Sequence, residues 1–235
     1  MRNCITGVAG WQKNSFIDFP GTVSAALFFS GCNLTCPYCH NPEIVKAGTA
    51  SLVRPDAIAG FLEKRKGLID GIVLSGGEPT LHACLGEAAG FIRSFGYRVK
   101  LDTNGLLPDA AAAVRPDYLA LDMKTAPRLY AELLGCPYED AEQRLARSVG
   151  MVRSMGDRAE VRITVAPGIV DREIIREIGE FVNGVKRAFL QPMQSRGKLL
   201  DPSIAERAPV GEEEIAAFRD ILAEYVEVCV IRGKT

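Results

Sequence analysis

Short, continuous apolar runs alternating with helix-like segments constrain this chain more than any other feature. Residues 23–30 (VSAALFFS), 71–74, 97–101, 118–121, 160–165, 188–191 and 226–231 read as strands. Between them, Pro55, Ile58, Phe61 and Leu62 start a helical pattern that Gly67 stops. A second helix is expected over residues 81–95, with Leu81, Cys84, Leu85, Ala88 and Ile92 on one face and Gly96 closing it. Others are expected near 139–155, after an Asp171 cap with the stripe Ile174, Ile175, Ile178, Phe181 and Val182, and near 212–225. Strands buried on both faces lose polar alternation, so about six such alternations predict an α/β chain with a parallel sheet covered by helices.

At 235 residues the chain fits a single domain, residues 1–235, with an extended lead-in or hairpin over 1–21 and the α/β body over 22–235. Residues 199–210, with Pro202 and Pro209, read as a loop within it. The composition, 47% hydrophobic and 24% charged, is that of a globular protein, and a net charge of −1 gives no electrostatic case for nucleic acid or an anionic membrane. No run approaches the roughly 20 apolar residues of a membrane span, and residues 1–7 lack a secretory apolar core. A cytoplasmic location is expected.

Three of the seven cysteines are clustered as Cys32-x3-Cys36-x2-Cys39, followed by His40-Asn41. In a reducing compartment such spacing reads as a metal site. Three thiolates are one short of the usual four, so a [4Fe-4S] cluster held this way keeps one iron open. The scattered Cys4, Cys84, Cys136 and Cys229 are expected to be small core residues.

The unusual polar residues all follow expected strands: the cysteine loop, Gly76-Gly77-Glu78-Pro79, Asp102-Thr103-Asn104-Gly105, Asp122-Met123-Lys124 and Gln191. Ligands bind at the C-terminal strand ends of such sheets. The plainer alternative is that Gly, Asp and Asn end strands in any α/β protein, which covers Asn104-Gly105 but neither the cysteines nor Gly76–Pro79. Paired glycines would let the backbone approach a ligand closely, with Glu78 adding a carboxylate.

Together, Cys32-x3-Cys36-x-Tyr38-Cys39 and Gly76-Gly77-Glu78-Pro79 resemble the radical S-adenosylmethionine (SAM) superfamily across almost the whole chain. The resemblance implies a partial (β/α)6, TIM-like barrel and a [4Fe-4S] cluster on Cys32, Cys36 and Cys39. It also implies SAM chelating the open iron and reductive cleavage to a 5′-deoxyadenosyl radical that abstracts hydrogen. By the same resemblance Glu78 and the Gly76-Gly77-Pro79 turn receive the SAM amino group. Tyr38 packs near the adenine or over the cluster. Arg162 meets SAM or substrate, or forms a rim salt bridge.

Within the superfamily, Cys39-His40-Asn41, Asp102-Thr103-Asn104-Gly105 and Asp122-x-Lys124 look like activating enzymes of glycyl-radical enzymes. That resemblance assigns Asp102, Thr103, Asn104, Asp122 and Lys124 to the SAM carboxylate. It also allows a small monovalent cation near Asp102 and Asp122; two solvated capping aspartates are the alternative. The lead-in, residues 10–21, is similar to that of activating proteins of anaerobic ribonucleoside-triphosphate reductase. The implied partners are a glycine-bearing reductase loop and a flavodoxin or ferredoxin donor. His40 would orient the loop or meet SAM, and His82 would be structural or solvent-facing. Two other classes compete: a radical SAM enzyme of small molecules, such as a ring-contracting type, and a zinc-binding module.

Overall fold

The computed structural model describes residues 5–45, 51–194 and 197–233. Cys4 lies outside them. In chain order the first elements are β1 (Val8–Ser15), β2 (Ser24–Phe29), α1 (Pro42–Val45), α2 (Pro55–Lys64), β3 (Gly71–Gly76), α3 (Leu85–Arg93), β4 (Arg98–Thr103) and α4 (Pro108–Val114). They continue as β5 (Tyr118–Met123), α5 (Tyr130–Leu134), α6 (Ala141–Met155), β6 (Ala159–Val165), α7 (Arg172–Phe181), β7 (Arg187–Pro192), α8 (Glu212–Leu222) and β8 (Val228–Ile231). Each strand from β2 to β7 is followed by helix before the next strand, the α/β alternation expected from the apolar runs.

The chain forms two compact units. The first draws on Met1–Asn33, Glu43–Thr103 and Leu107–Leu119; the second on Leu34–Pro42, Asn104–Leu106 and Ala120–Thr235. In the first unit β2, β3 and β4 are parallel, with Ser24 beside Gly71 and Gly71 beside Arg98. The expected lead-in is the hairpin strand β1, antiparallel to β2. Its Trp11 stacks on Phe61 of α2 at 5.3 Å between ring centroids. Phe19, Ala26, Val73 and Tyr118 pack together beneath this sheet edge.

In the second unit β6, β7 and β8 are parallel, with Val161 beside Ala188 and Arg187 beside Val228. The Asp171 carboxylate accepts from the Ile174 N–H at 2.9 Å and starts α7, as expected. Ile174, Ile175, Ile178 and Val182 are buried, while Phe181 is only half-buried. Arg232, just past β8, chelates the fully buried Glu160 of β6 through two bonds of 2.9 and 3.0 Å. No helix among the described residues is long and apolar enough to cross a membrane.

The expected helix over 81–95 is corrected. Pro79–Leu81 forms a separate 3-10 turn and α3 begins only at Leu85. Leu81 and Cys84 therefore leave the buried face and are exposed. Cys136 is buried as expected, and Cys229 is half-buried.

Candidate functional site

In the first unit the Gly76–Pro79 turn is built against the end of β2. A Cβ on Gly76 would stand 2.3 Å from the Phe29 nitrogen, and one on Gly77 would stand 2.0 Å from the Gly31 carbonyl oxygen. The close approach that demands these glycines is thus to the neighbouring strand end. The Gly77 and Glu78 N–H groups complete it by donating to the Phe29 and Gly31 carbonyls, each at 2.8 Å. Gly31 and Cys32 in turn donate to the carbonyls of Ile44 and Val45 in α1. These bonds tie the first cysteine to the same framework as Glu78.

Glu78 is 1% exposed. Its Oε1 accepts from the Thr80 N–H at 3.0 Å, the Thr80 hydroxyl at 2.6 Å and the Thr103 hydroxyl at 2.8 Å. Buried carboxylates need such donors, and three on one oxygen fix the plane of the group. Pro79 is the buried first residue of the 3-10 turn that brings Thr80 round. Three residues before Thr103 on β4, Lys100 is also 1% exposed and its ammonium lies 2.5 Å from Asp102 Oδ1. His82 is structural: it meets the Ser30 carbonyl at 2.9 Å and packs on Phe29.

In the second unit Cys36, Tyr38, Asp122, Lys124, Tyr130 and Arg162 form an electrostatic set. Arg162 grips Asp122 with two bonds of 2.7 and 3.1 Å, and the Lys124 ammonium is 3.1 Å from the same carboxylate. Burial alone would raise the Asp122 carboxyl; Arg162 and Lys124 outweigh it and hold the group well below the usual carboxylate range. Burial likewise opposes the Lys124 charge, but Asp122 and Cys36 push that ammonium up. Arg162 thus forms a salt bridge with Asp122. The Lys124 N–H donates to the hydroxyl of Tyr130, a fully buried side chain.

Burial pushes the Cys36 thiol up to about 11, with Lys124 opposing. Tyr38 is 4% exposed, and burial, then Cys36, raises its phenol well above the usual range. Its hydroxyl makes no hydrogen bond of ordinary geometry among the described residues. Cys39 donates its N–H to the Cys36 carbonyl at 3.0 Å, a tight turn, and His40 is exposed. Asn104 is a turn residue: its Oδ1 accepts from the Leu106 N–H at 3.1 Å.

Two segments to which the sequence reading gave no functional role hold the cysteine loop. At the end of α5 the Leu134 carbonyl accepts the Thr35 N–H at 2.8 Å. A Cβ on Gly135 would meet the Thr35 hydroxyl at 2.6 Å. In the loop read as linker-like, Leu200 and Asp201 donate their N–H groups to the carbonyls of Cys39 and Pro37, at 3.0 and 2.9 Å. The only sequence signal was Asp201-Pro202, whose carboxylate caps a short 3-10 turn by accepting from Ser203. Thr80, Lys100 and Tyr130 were also missed. Thr80 was legible as the second residue after Glu78, and Lys100 as the strand neighbour that shares a face with Asp102; Tyr130 gave no signal.

Cys32, Cys36 and Cys39 are not joined in disulfides. Among the described residues no three His, Cys, Asp or Glu side chains are gathered closely enough to hold a metal ion. The donor set itself, three thiols within eight residues and no disulfide, fits a cluster with three protein ligands. Metal ligation would deprotonate the thiols and draw them in.

The cation expected near Asp102 and Asp122 does not fit. Asp102 is answered by Lys100, and Asp122 by both Lys124 and Arg162. Neither carboxylate leaves an excess of negative charge to attract an ion.

Residues 27–181 match the Radical SAM superfamily, and the chain belongs to it. The family implies a [4Fe-4S] cluster and SAM, and the chain is an enzyme of that class. It is 29% identical over 235 residues to a protein of Methanocaldococcus jannaschii provisionally named a glycyl-radical enzyme activating enzyme, covering 96% of this chain and 95% of that one. It is 28% identical to the pyruvate formate-lyase-activating enzyme of Staphylococcus epidermidis, over 72% of each chain. A 7-carboxy-7-deazaguanine synthase of Methanopyrus kandleri is 27% identical over 74% of this chain and 73% of its own. Among solved structures, TYW1 with a lysine-pyruvate adduct bound has a TM-score of 0.62 at 17% identity, covering 86% of this chain and 74% of that one, a likeness of fold.

Proposed function

We propose that this enzyme activates a glycyl-radical enzyme, and that its partner is an anaerobic ribonucleoside-triphosphate reductase. The observation that carries the reading is the similarity to the Methanocaldococcus jannaschii protein over 96% of this chain and 95% of that one. The pyruvate formate-lyase-activating enzyme supports it with a second relative of that class. The lead-in that is now β1 and its turn, residues 10–21, favours the reductase among possible partners.

Cys32, Cys36 and Cys39 would hold the cluster, which supplies the electron that cleaves bound SAM. Glu78, set by Thr80 and Thr103, would accept from the SAM amino group. Lys124, kept charged by Asp122, offers a cation to a carboxylate. Tyr38 supplies an aromatic face beside Cys36. The Leu134–Gly135 and Leu200–Asp201 contacts keep the loop in place, so that electron delivery is not lost to loop motion. The hydrogen would come from a glycine Cα of the partner, with a flavodoxin or ferredoxin as electron donor and the cytoplasm as the place of action.

A second reading, a small-molecule radical SAM enzyme, is favoured by the Methanopyrus kandleri synthase. His40-Asn41 after the third cysteine counts against it, because ring-contracting relatives continue with acidic residues there. Incubation with SAM, reductant and a candidate reductase, followed by electron paramagnetic resonance, separates the two. A glycyl doublet on the reductase supports activation. SAM cleavage that yields no protein radical with reductase partners, but turns over a deazaguanine precursor, contradicts it.

A further inference from the structure

A lysine that is 1% exposed is costly unless its charge is answered, and Lys100 is such a lysine. Its ionic partner among the described residues is Asp102, at 2.5 Å, with the π face of Tyr118 at 5.9 Å from the ammonium. Lys100 and Asp102 are two residues apart on β4, so the strand's period of two places both on one face. The pair is not a surface ornament that salt or side-chain entropy can dissolve, since the two side chains are 1% and 11% exposed.

The Lys100 ammonium answers Asp102, and both Lys124 and Arg162 answer Asp122. A carboxylate already in contact with a fixed cation attracts a free one less strongly. A monovalent ion seeking Asp102 would have to displace an ammonium already desolvated and in contact, leaving that ammonium buried and alone.

We propose that the Lys100 ammonium is the fixed counter-ion of Asp102, standing where a dissociable monovalent cation would otherwise sit, so that SAM binding by this enzyme needs no added cation. The inference rests on the SAM reading of the strand ends and deepens it: the cofactor's anionic end would meet a site whose positive charge is covalently built in. Lys100 acts through Asp102 and is a positioning residue.

The test is SAM affinity of the cluster-loaded protein, by equilibrium dialysis, in buffers whose sole monovalent cation is sodium, potassium or tetramethylammonium. The wild-type affinity is expected to agree within about twofold across the three. Lys100→Met is expected to bind about tenfold more weakly in tetramethylammonium and to recover in potassium or sodium, a rescue that general unfolding would not show. The doubly neutral Lys100→Met/Asp102→Asn, which removes both charges of the pair, keeps the test open if the single variant fails to fold. It should be indifferent to the cation. A wild-type affinity that rises about tenfold or more with potassium overturns the proposal. So does a folded Lys100→Met that binds like wild type in all three buffers, or a double variant that needs potassium. Wild-type protein that binds no SAM in any buffer overturns the site reading and this inference with it.

Discussion

The hydroxyl of Thr103, the last residue of β4, donates to Glu78 Oε1, just past β3, at 2.8 Å. Two neighbouring strand ends are thereby locked through one buried carboxylate. The sequence resemblance gave Thr103 to the SAM carboxylate; the geometry gives it first to Glu78. Thr103→Val should therefore weaken SAM binding roughly tenfold, the worth of one hydrogen bond to a charged group, and Thr103→Ser should retain it. Titration of SAM against the cluster's optical spectrum checks both variants.

The turn that presents Glu78 depends on an absent side chain. Gly77→Ala puts a Cβ 2.0 Å from the Gly31 carbonyl oxygen, and should cost about 1–3 kcal/mol of stability. Gly90, inside α3, offers a control because a Cβ there meets nothing within 4 Å. Gly90→Ala should stabilise by roughly 0.5–1 kcal/mol through helix propensity. Urea unfolding of both variants shows whether the signs oppose.

The cysteine loop should show its burial in a pH profile. Folding favours the protonated Cys36 thiol, raised from 9.0 to about 11. The unfolded chain gives up this proton at lower pH, so stability is full below the ordinary thiol range and falls as pH climbs through 9 toward 11. The rise corresponds to roughly 2–3 kcal/mol. Metal-free wild type should lose about that much relative to Cys36→Ala across this window; a constant difference contradicts the burial.

The strap from residues 200 and 201 should matter to the cluster more than to the fold. Leu200→Pro removes the N–H that reaches the Cys39 carbonyl. Iron should be lost to a chelator faster than from wild type, with a similar circular dichroism spectrum. Equal rates would show that the strap does not hold the loop.

The positions of β2 and β3 were legible because both their faces are largely buried and their apolar runs are nearly continuous, and β6 (AEVRITV) was legible because apolar residues alternate with Glu160, Arg162 and Thr164. The start of α3 was not, because Glu78 caps a short 3-10 turn that uses up Pro79–Leu81. Helix α4 (PDAAAAV) has no apolar stripe against polar neighbours and α5 has only five residues, so neither shows a period. The candidate ligands were visible in type and spacing. What locks them was not: Lys100 looks like a surface residue until β4 is seen to bury it, and Tyr130 meets Lys124 only through the fold.

The central claim is that the hydrogen abstracted belongs to a glycine of a partner protein. The most direct measurement supplies a candidate reductase grown with glycine deuterated at Cα, together with SAM and reductant, and weighs the 5′-deoxyadenosine formed. Deuterium in that product, rising with the glycyl radical on the reductase, is the predicted result. Unlabelled 5′-deoxyadenosine alongside a radical-free reductase would contradict the account.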